Sequence, residues 1–502
     1  MSLGKRVFGV ETEYGCLLRD DDLDGIERVV DCVKNHVFYQ CKLGAIDVLA
    51  RNEAFEPSRA GGFLLNGGRL YVDAVGSHQE YATPECSSLR DLIAYDRAGH
   101  LILLRALQEL GWEDRVSFYA NSVDHFGGHT FGCHENYLVE MKDDFFGEPL
   151  QSLFPFLVTR QIFAGVGRVG GHILDRTRAV LDPRTIMENP IDYVWVPNVY
   201  NVLPDDSMQY QLSQRADHII RAAATRVRFN RAIVNPKWDD FYSFNTMGRL
   251  HLLFGEANMS EYAYALKVGT TSLVLDLIED DAVPEGLSFD TESACLRALH
   301  SVSRDATWKW LVELGNGTVI GGVDLQRMYL KAAQSLYRGR DPETDWVLTE
   351  WESTLDGLER DPMSLGDRLD WVAKRQVLET FMADAGVGWD DDALHSVDME
   401  YHNLDPRAGL YHYLQSSGKM RRLCSDLQIL DAVTEPPEGT RARGRGMVVR
   451  EIVARRVHRY WVDWDMVAVD GGKQLAFRDP LKTYHREAEN FISSLPSRRD
   501  KA

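Results

Sequence analysis

The sequence predicts an α+β fold in which helices cover one face of a mostly antiparallel sheet. Runs that alternate apolar and polar residues, read as strands, dominate the first half, as in Phe8-Gly9-Val10-Glu11-Thr12-Glu13-Tyr14 and Leu70-Tyr71-Val72-Asp73. Apolar residues at helical spacing dominate the second half. Strands grouped ahead of helices argue for segregated layers and against repeated parallel crossovers. The clearest linker is Glu435-Pro436-Pro437-Glu438-Gly439, with further apolar runs around Val448 and Trp461 beyond it. We therefore expect a main domain over residues 1–432 and a small C-terminal domain over 433–502.

The elements follow in order. A first strand runs from Arg6 to Tyr14, with Glu11 and Glu13 on one face. Ile26, Val29, Val30, Val33 and Val37 form a helical stripe, whose plain reading is core. Gly44 to Gly62 reads as a loop, and Asn66 to Asp73 as a strand. Ser87 and Ser88 are N-cap candidates for a helix reaching about Gly111, with Leu89, Leu92, Ile93 and Leu101 inward. Val116–Ala120 and Phe131–Val139 are strands, the second with His134 and Asn136 on one face and Glu135 on the other. A helix is expected over Pro155–Phe163, and an irregular excursion over His172–Pro204. Gln211–Arg215 and Arg249–Leu253 resume the strand pattern, Arg249 and His251 sharing a face. Helices follow at Ser260–Glu279, around Leu325–Leu336 and around Leu369–Leu378.

Composition narrows the function. With 56 Lys plus Arg against 76 Asp plus Glu, the formal charge of −20 disfavours nucleic-acid binding. Seven scattered cysteines without a CxxC pair argue against a disulfide scaffold or a zinc site and for reduced thiols. No run reaches membrane-spanning length, and no signal-peptide core precedes the first strand, so the expected location is cytoplasmic, with no membrane partner.

The chemistry sits on carboxylates in strands. Glu11 with Glu13, and Tyr71, Asp73 and Glu80 nearby, would be costly to bury without a cation. Magnesium, which takes oxygen ligands and keeps phosphates, suits them. The plain alternative is a solvated strand face. Asp73, at a strand end, reads as a general base or nucleophile, or as an ordinary turn residue. His134 and His251 read as metal or phosphate contacts, or as buried structural histidines. Arg215 reads as a bidentate anion ligand, or as a surface ion pair. Gly165–Gly171 is glycine-rich but lacks the Lys-Ser/Thr ending of a Walker loop.

Taken together, certain words resemble a known family. They are Gly9-Val10-Glu11-Thr12-Glu13-Tyr14-Gly15, Asn66-Gly67 to Asp73, Glu80-Tyr81-Ala82-Thr83-Pro84-Glu85-Cys86, Tyr95-Asp96-Arg97-Ala98-Gly99, Gly132-Cys133-His134-Glu135-Asn136-Tyr137-Leu138, Leu212-Ser213-Gln214-Arg215 and Asn258-Met259-Ser260-Glu261. The chain is similar to the Pup ligase and Pup deamidase (depupylase) family, related to glutamine synthetase. The resemblance implies a glutamine synthetase-like curved, mostly antiparallel sheet cradling ATP and Mg2+, backed by helices. It implies Glu11, Glu13, Tyr71 and Glu80 at metals, His134, Arg215 and His251 near metal or phosphates, and Asp73 as the catalytic aspartate.

Two chemistries are implied. A ligase phosphorylates the C-terminal glutamate side chain of a Pup-like modifier with ATP and passes the acyl group to a lysine of a target protein. A deamidase hydrolyses a C-terminal glutamine amide or the isopeptide bond, with nucleotide as cofactor. Gly76-Ser77-His78, Ala82-Thr83 and Val158-Thr159-Arg160 resemble the ligase forms, and the modest length of Gly44–Gly62 points the same way. Two departures stand out: Gln79 occupies a usual proline position, and Lys237 replaces an arginine, giving a point charge where a fork is usual.

Overall fold

The computed structural model describes residues 6–19, 23, 25–46, 61–73, 78–125, 128–140, 145, 147–175, 201–224, 231–235, 247–469 and 473–495. Its strands up to residue 252 are β1 (Phe8–Leu18), β2 (Gly44–Ile46), β3 (Gly62–Leu64), β4 (Arg69–Val72), β5 (Gln79–Ala82), β6 (Val116–Tyr119), β7 (Cys133–Glu140), β8 (Arg168–Val169), β9 (His172–Asp175), β10 (Asn201–Pro204), β11 (Tyr210–Gln211), β12 (Arg221–Ala223), β13 (Ala232–Asn235) and β14 (Met247–Leu252). Ten of them form one sheet in the order β12-β13-β14-β7-β1-β5-β4-β3-β2, with β6 on the second half of β1. Only β12–β13 is parallel among these pairs, so the expected α+β architecture with a mostly antiparallel sheet holds.

Alternation sets the two faces of β1. Val10, Thr12 and Tyr14 are buried, while Glu11 and Glu13 are half-buried on the opposite side. The buried face rests on helices. Helix α1 (Ile26–Tyr39) buries Val29, Val30, Val33 and Val37, but Ile26 is exposed at its first turn. Helix α2 (Leu89–Leu110) starts at Ser88, whose side chain accepts from Asp91 N, and stops at Gly111 in the left-handed region. Leu89, Leu92 and Ile93 point inward, whereas Leu101 faces solvent, contrary to expectation. A Cβ on Gly99 would lie 2.5 Å from the Tyr81 ring, so glycine lets α2 lie close on β5. The helix Glu261–Glu279 is buried along its whole length.

Charged pairs lock these layers. Arg160 Nη2 lies 2.6 Å from Glu135 Oε1, both buried. Arg6 joins Asp276 and Glu279 beneath the sheet. Each is strongly destabilising to break by removing one partner.

Several boundaries differ from the sequence reading. The segment 44–62 is bounded by the paired strands β2 and β3 instead of being loop throughout; the residues between Ile46 and Gly61 lie outside the described set. The expected Pro155–Phe163 helix starts earlier: α3 (Glu148–Thr159) carries Pro155 inside, and a short α4 (Gln161–Ala164) follows. Gln211–Arg215 is mostly a turn leading into a 3₁₀ segment at Ala216–His218, with only Tyr210–Gln211 in a strand. The ends of the 172–204 excursion pair as β9 with β10; its centre lies outside the described residues. Beyond the linker, Val448, Val449, Ile452, Val467, Phe477 and Phe491 form a second hydrophobic cluster, which also takes in Ala45 and Phe63. Among the described residues no helix is long and apolar enough to cross a membrane.

Candidate active site

Sheet register brings the predicted residues onto one face. Glu13 stands opposite Glu80, and Tyr71 opposite Glu80 from the other side. Glu11 stands opposite His134 and Ala82. His251 stands opposite Asn136, which shares a face with His134. Residues that face each other across a ladder point the same way, so Glu11, Glu13, Tyr71, Glu80, His134 and His251 form one polar floor.

The atoms converge. Ligand atoms of Glu11, His134 and His251 lie within 4.8 Å of one another, as do those of Glu13, Glu80 and His134, and those of Glu13, Asp73 and His78. His134 Nδ1 and His251 Nε2 are 3.5 Å and 3.6 Å from Glu11 Oε2. His78 Nδ1 is 2.9 Å from Glu13 Oε2. Asp73 follows β4, its N–H donating to His78 O at 2.9 Å, which puts it at the rim. Gly132 makes the crowding possible: a Cβ there would lie 2.5 Å from Glu13 Oε1 and 2.6 Å from His134 Nε2.

Electrostatics divide the carboxylates. Burial raises the pKa of Glu11, but the neighbouring His134 and His251 imidazoles, 3.5 Å and 3.6 Å away, outweigh it and hold this carboxyl well below the usual range. Burial opposes ionisation of Glu13 too, and His78 brings it down to about 2. Glu80 goes the other way: burial, then the negative charges of Asp73, Glu13 and Glu11, push it well above the usual range. Burial drives His251 down to about 3, and neither of its ring nitrogens makes a hydrogen bond. Three repelling acids beside an orphaned neutral imidazole make a donor set that fits a divalent cation.

A positive wall adjoins this floor. Arg215 is buried, with NH1 donating to Phe131 O at 2.6 Å and Nε unpartnered. Its backbone N–H and the Ser213 hydroxyl are held by Glu256, which anchors the turn. Arg231 offers an enclosed, unpartnered Nη1; burial and then the Arg215 charge lower its pKa to about 9. Arg249 approaches Glu11 at 3.7 Å and donates to Asn136 Oδ1 at 2.8 Å. Lys237 lies outside the described residues. Sequence reasoning missed His78, Arg231 and Asn235 as site residues. Asn235 is fully buried, its amide unpartnered, opposite His251. Adjacent spacing gave no signal for Arg231, whereas the apolar run Ala232–Val234 places Asn235 at the end of a strand.

Beside Glu11 opens a cleft lined by Gly9, Ala82, Leu138, Arg249, Arg441, Trp464 and Pro480 among others. Gly9 and Ala82 give it a floor of small residues next to the acidic cluster. The wall formed by Trp464 and Pro480 comes from beyond the Pro436-Pro437 linker. All seven cysteines are free thiols.

Comparison with known proteins agrees along nearly the whole chain. The family described as "Pup-ligase protein" matches residues 6–468. Proteins named Pup--protein ligase from Kineococcus radiotolerans and Xylanimonas cellulosilytica are each 32% identical, covering 98% of this chain and 100% of theirs. Among solved structures, the complex between the prokaryotic ubiquitin-like protein Pup and its ligase PafA superposes with a TM-score of 0.78 at 30% identity, over 98% of this chain and 92% of that one. PafA in complex with ADP gives a TM-score of 0.73 at 31% identity, over 95% and 96%. End-to-end coverage at this identity makes this chain a member of the Pup-ligase family.

Proposed function

We propose that the protein is an ATP-dependent ligase joining the C-terminal glutamate side chain of a Pup-like modifier to a lysine of a target protein. The observation that carries this reading is the convergence of Glu11, Glu13, Tyr71, Glu80, His134 and His251 on one sheet face with Asp73 at its rim, in a chain that aligns end to end with proteins named as ligases. None of those names belongs to the deamidase branch, so the hydrolytic alternative is not favoured.

In this reading the nucleotide base lies in the cleft under Trp464 and Pro480, and the phosphates extend over Glu11 towards Arg215 and Arg231. The ADP complex of the related ligase supports a nucleotide in this fold. Glu11, Glu13, Tyr71 and Glu80 would hold magnesium, with His134 and His251 beside it. Bound there, the metal would neutralise and polarise the phosphate oxygens. Lys237 is assigned a phosphate contact on sequence alone, and Arg231 supplies a guanidinium on the same side.

The reaction balances in two steps. A carboxylate oxygen of the modifier's glutamate attacks the γ-phosphorus of ATP, and ADP leaves. The lysine amine then attacks the acyl carbon, the isopeptide bond forms and phosphate departs. A lysine arrives as an ammonium and must lose a proton first. Asp73, at the rim, takes it. The same reading treats 1–432 as the catalytic domain and 433–502 as a small C-terminal domain, whose apolar cluster is shared with Ala45 and Phe63 of the sheet. It sets the reaction in the cytoplasm, where ATP and reduced thiols are found.

The test is incubation with ATP, magnesium, a lysine-bearing target and a Pup-like protein ending in Glu or in Gln, followed by mass. The ligase reading requires a conjugate lighter than its parts by one water with the Glu form. Ammonia loss from the Gln form, without conjugation of either, would replace it with the deamidase.

A further inference from the structure

A second convergence of ligand atoms lies away from the sheet face, where α1 ends. His36 is in the last turn of α1, Glu109 in the last turn of α2, and Cys41 just beyond α1. The backbone fixes the first and third: Gln40 N and Cys41 N both donate to His36 O, at 2.9 Å and 3.0 Å. This folds the chain over the helix end and turns the thiol back towards the imidazole. His36 Nε2 is 3.0 Å, and Cys41 Sγ 3.3 Å, from the same oxygen, Glu109 Oε2. All three ligand atoms lie within 4.8 Å of one another.

We propose that His36, Cys41 and Glu109 form a binding site for a thiophilic divalent cation, zinc above all. A tetrahedron with Zn–S of about 2.3 Å and Zn–N and Zn–O of about 2.0 Å has edges of roughly 3.3–3.6 Å. The two separations to Glu109 are within a few tenths of an ångström of such edges before any cation enters. The ligand set is one soft sulfur, one imidazole and one carboxylate, which is zinc chemistry and not magnesium chemistry. The second carboxylate oxygen, Oε1, is held by Arg105 Nε at 2.7 Å. That is the outer contact that orients a ligating carboxylate. His36 and Glu109 are partly open to solvent, leaving a fourth position for water. No CxxC or HxxxH spacing signals the site, because its third ligand comes from a helix 68 residues away.

Entry of the cation displaces a proton. Burial, then the hydrogen bond to Glu109, pushes the Cys41 thiol up to about 11. Binding converts the thiol to a metal-bound thiolate and releases its proton to solvent, so affinity rises with pH. The site joins the C-terminal ends of α1 and α2, and occupancy adds a cross-link between the two helices behind the sheet.

The experiment is titration of the full, metal-stripped chain with Co2+ alone, read by the thiolate-to-cobalt charge-transfer band, followed by competition with Zn2+. The magnesium-type floor on the sheet offers no thiolate, so it gives no such band. The expected result is one equivalent giving the band in the wild type and in Cys32→Ser, no band in Cys41→Ser, and Zn2+ raising the melting temperature of the wild type by more than that of Cys41→Ser, which keeps the sheet floor. Arg105→Ala weakens Zn2+ by about tenfold while the fold stays intact by circular dichroism. No band at one equivalent in the wild type, or a band that survives Cys41→Ser, overturns the proposal.

Discussion

At the scale of single residues, the site works by putting opposed demands on neighbouring groups. Glu13 is held ionised by His78, and Glu80 is pushed towards protonation by burial and by three acids around it. A cation on the floor relieves the second without disturbing the first. In the proposed reaction Asp73 is the base, so Asp73→Asn would remove it while sparing most of the contacts proposed for the nucleotide. The expected outcome is near-complete loss of conjugate, with ATP affinity kept within about tenfold, about 1.4 kcal/mol, by calorimetry. Conjugation returns in part at high pH, where lysine is already neutral. Gly132→Ala makes a separate point. The added methyl meets Glu13 and His134, so activity falls at unchanged melting temperature if the floor, and not the fold, depends on that close approach. An active Gly132→Ala enzyme would show that the floor tolerates displacement. Glu11, Glu13 and Tyr71 were legible because period-two alternation sets the face of their side chains, whereas Glu80 entered as a nearby carboxylate and through the family resemblance. His78 and Arg231 were not, since each lies at the start of a strand, where alternation assigns no face.

At the scale of elements, the segment beyond the linker is clamped to the sheet by one carboxylate. Glu85 follows β5 and meets Arg441 Nε at 2.7 Å and the buried Arg445, which also donates to Gly67 O at 2.7 Å. Burial resists the charge on Glu85, but Arg445 and Arg441 overcome it and hold its pKa at about 2. A carboxyl depressed in the folded state stabilises fully above its ordinary pKa and loses that contribution as pH falls towards the folded value. Stability should therefore decline between about pH 5 and pH 2, and Glu85→Gln should flatten that limb. At neutral pH the same change leaves Arg445 buried without its counter-charge and costs about 3–5 kcal/mol. A denaturant series at several pH values measures both, and an unchanged acid limb in Glu85→Gln would remove this clamp from the account. Long periodic elements such as α2 and Glu261–Glu279 were legible, caps included. The three-residue strands β2 and β3 were not, because so few residues carry no period and their glycines read as loop. Pro155 marked a helix start in the sequence, while tertiary burial of Leu150, Leu153 and Phe154 carries the helix back past it.

At the scale of the whole molecule, a broad antiparallel sheet supplies a rigid floor, helices hold it from behind, and the wall with Trp464 closes a cleft next to the acids. The segregation of strands and helices along the chain foretold this layering. It could not foretell the sheet order, in which β1 is flanked by β5 and β7 and so brings Glu11 and Glu13 to the centre. Nor could it foretell the cleft, whose walls bring Gly9 and Ala82 near the start of the chain together with Trp464 and Pro480 near its end, a separation that only folding closes. The account stands on activation of the modifier's glutamate by phosphoryl transfer within that floor. The most direct measurement labels the side-chain carboxylate oxygens of a Pup-like modifier's C-terminal glutamate with heavy oxygen. It then follows conjugation to lysine with unlabelled ATP. The account predicts one labelled oxygen in each inorganic phosphate released, with none appearing in the absence of the modifier. Conjugate formed while the phosphate stays unlabelled would contradict it.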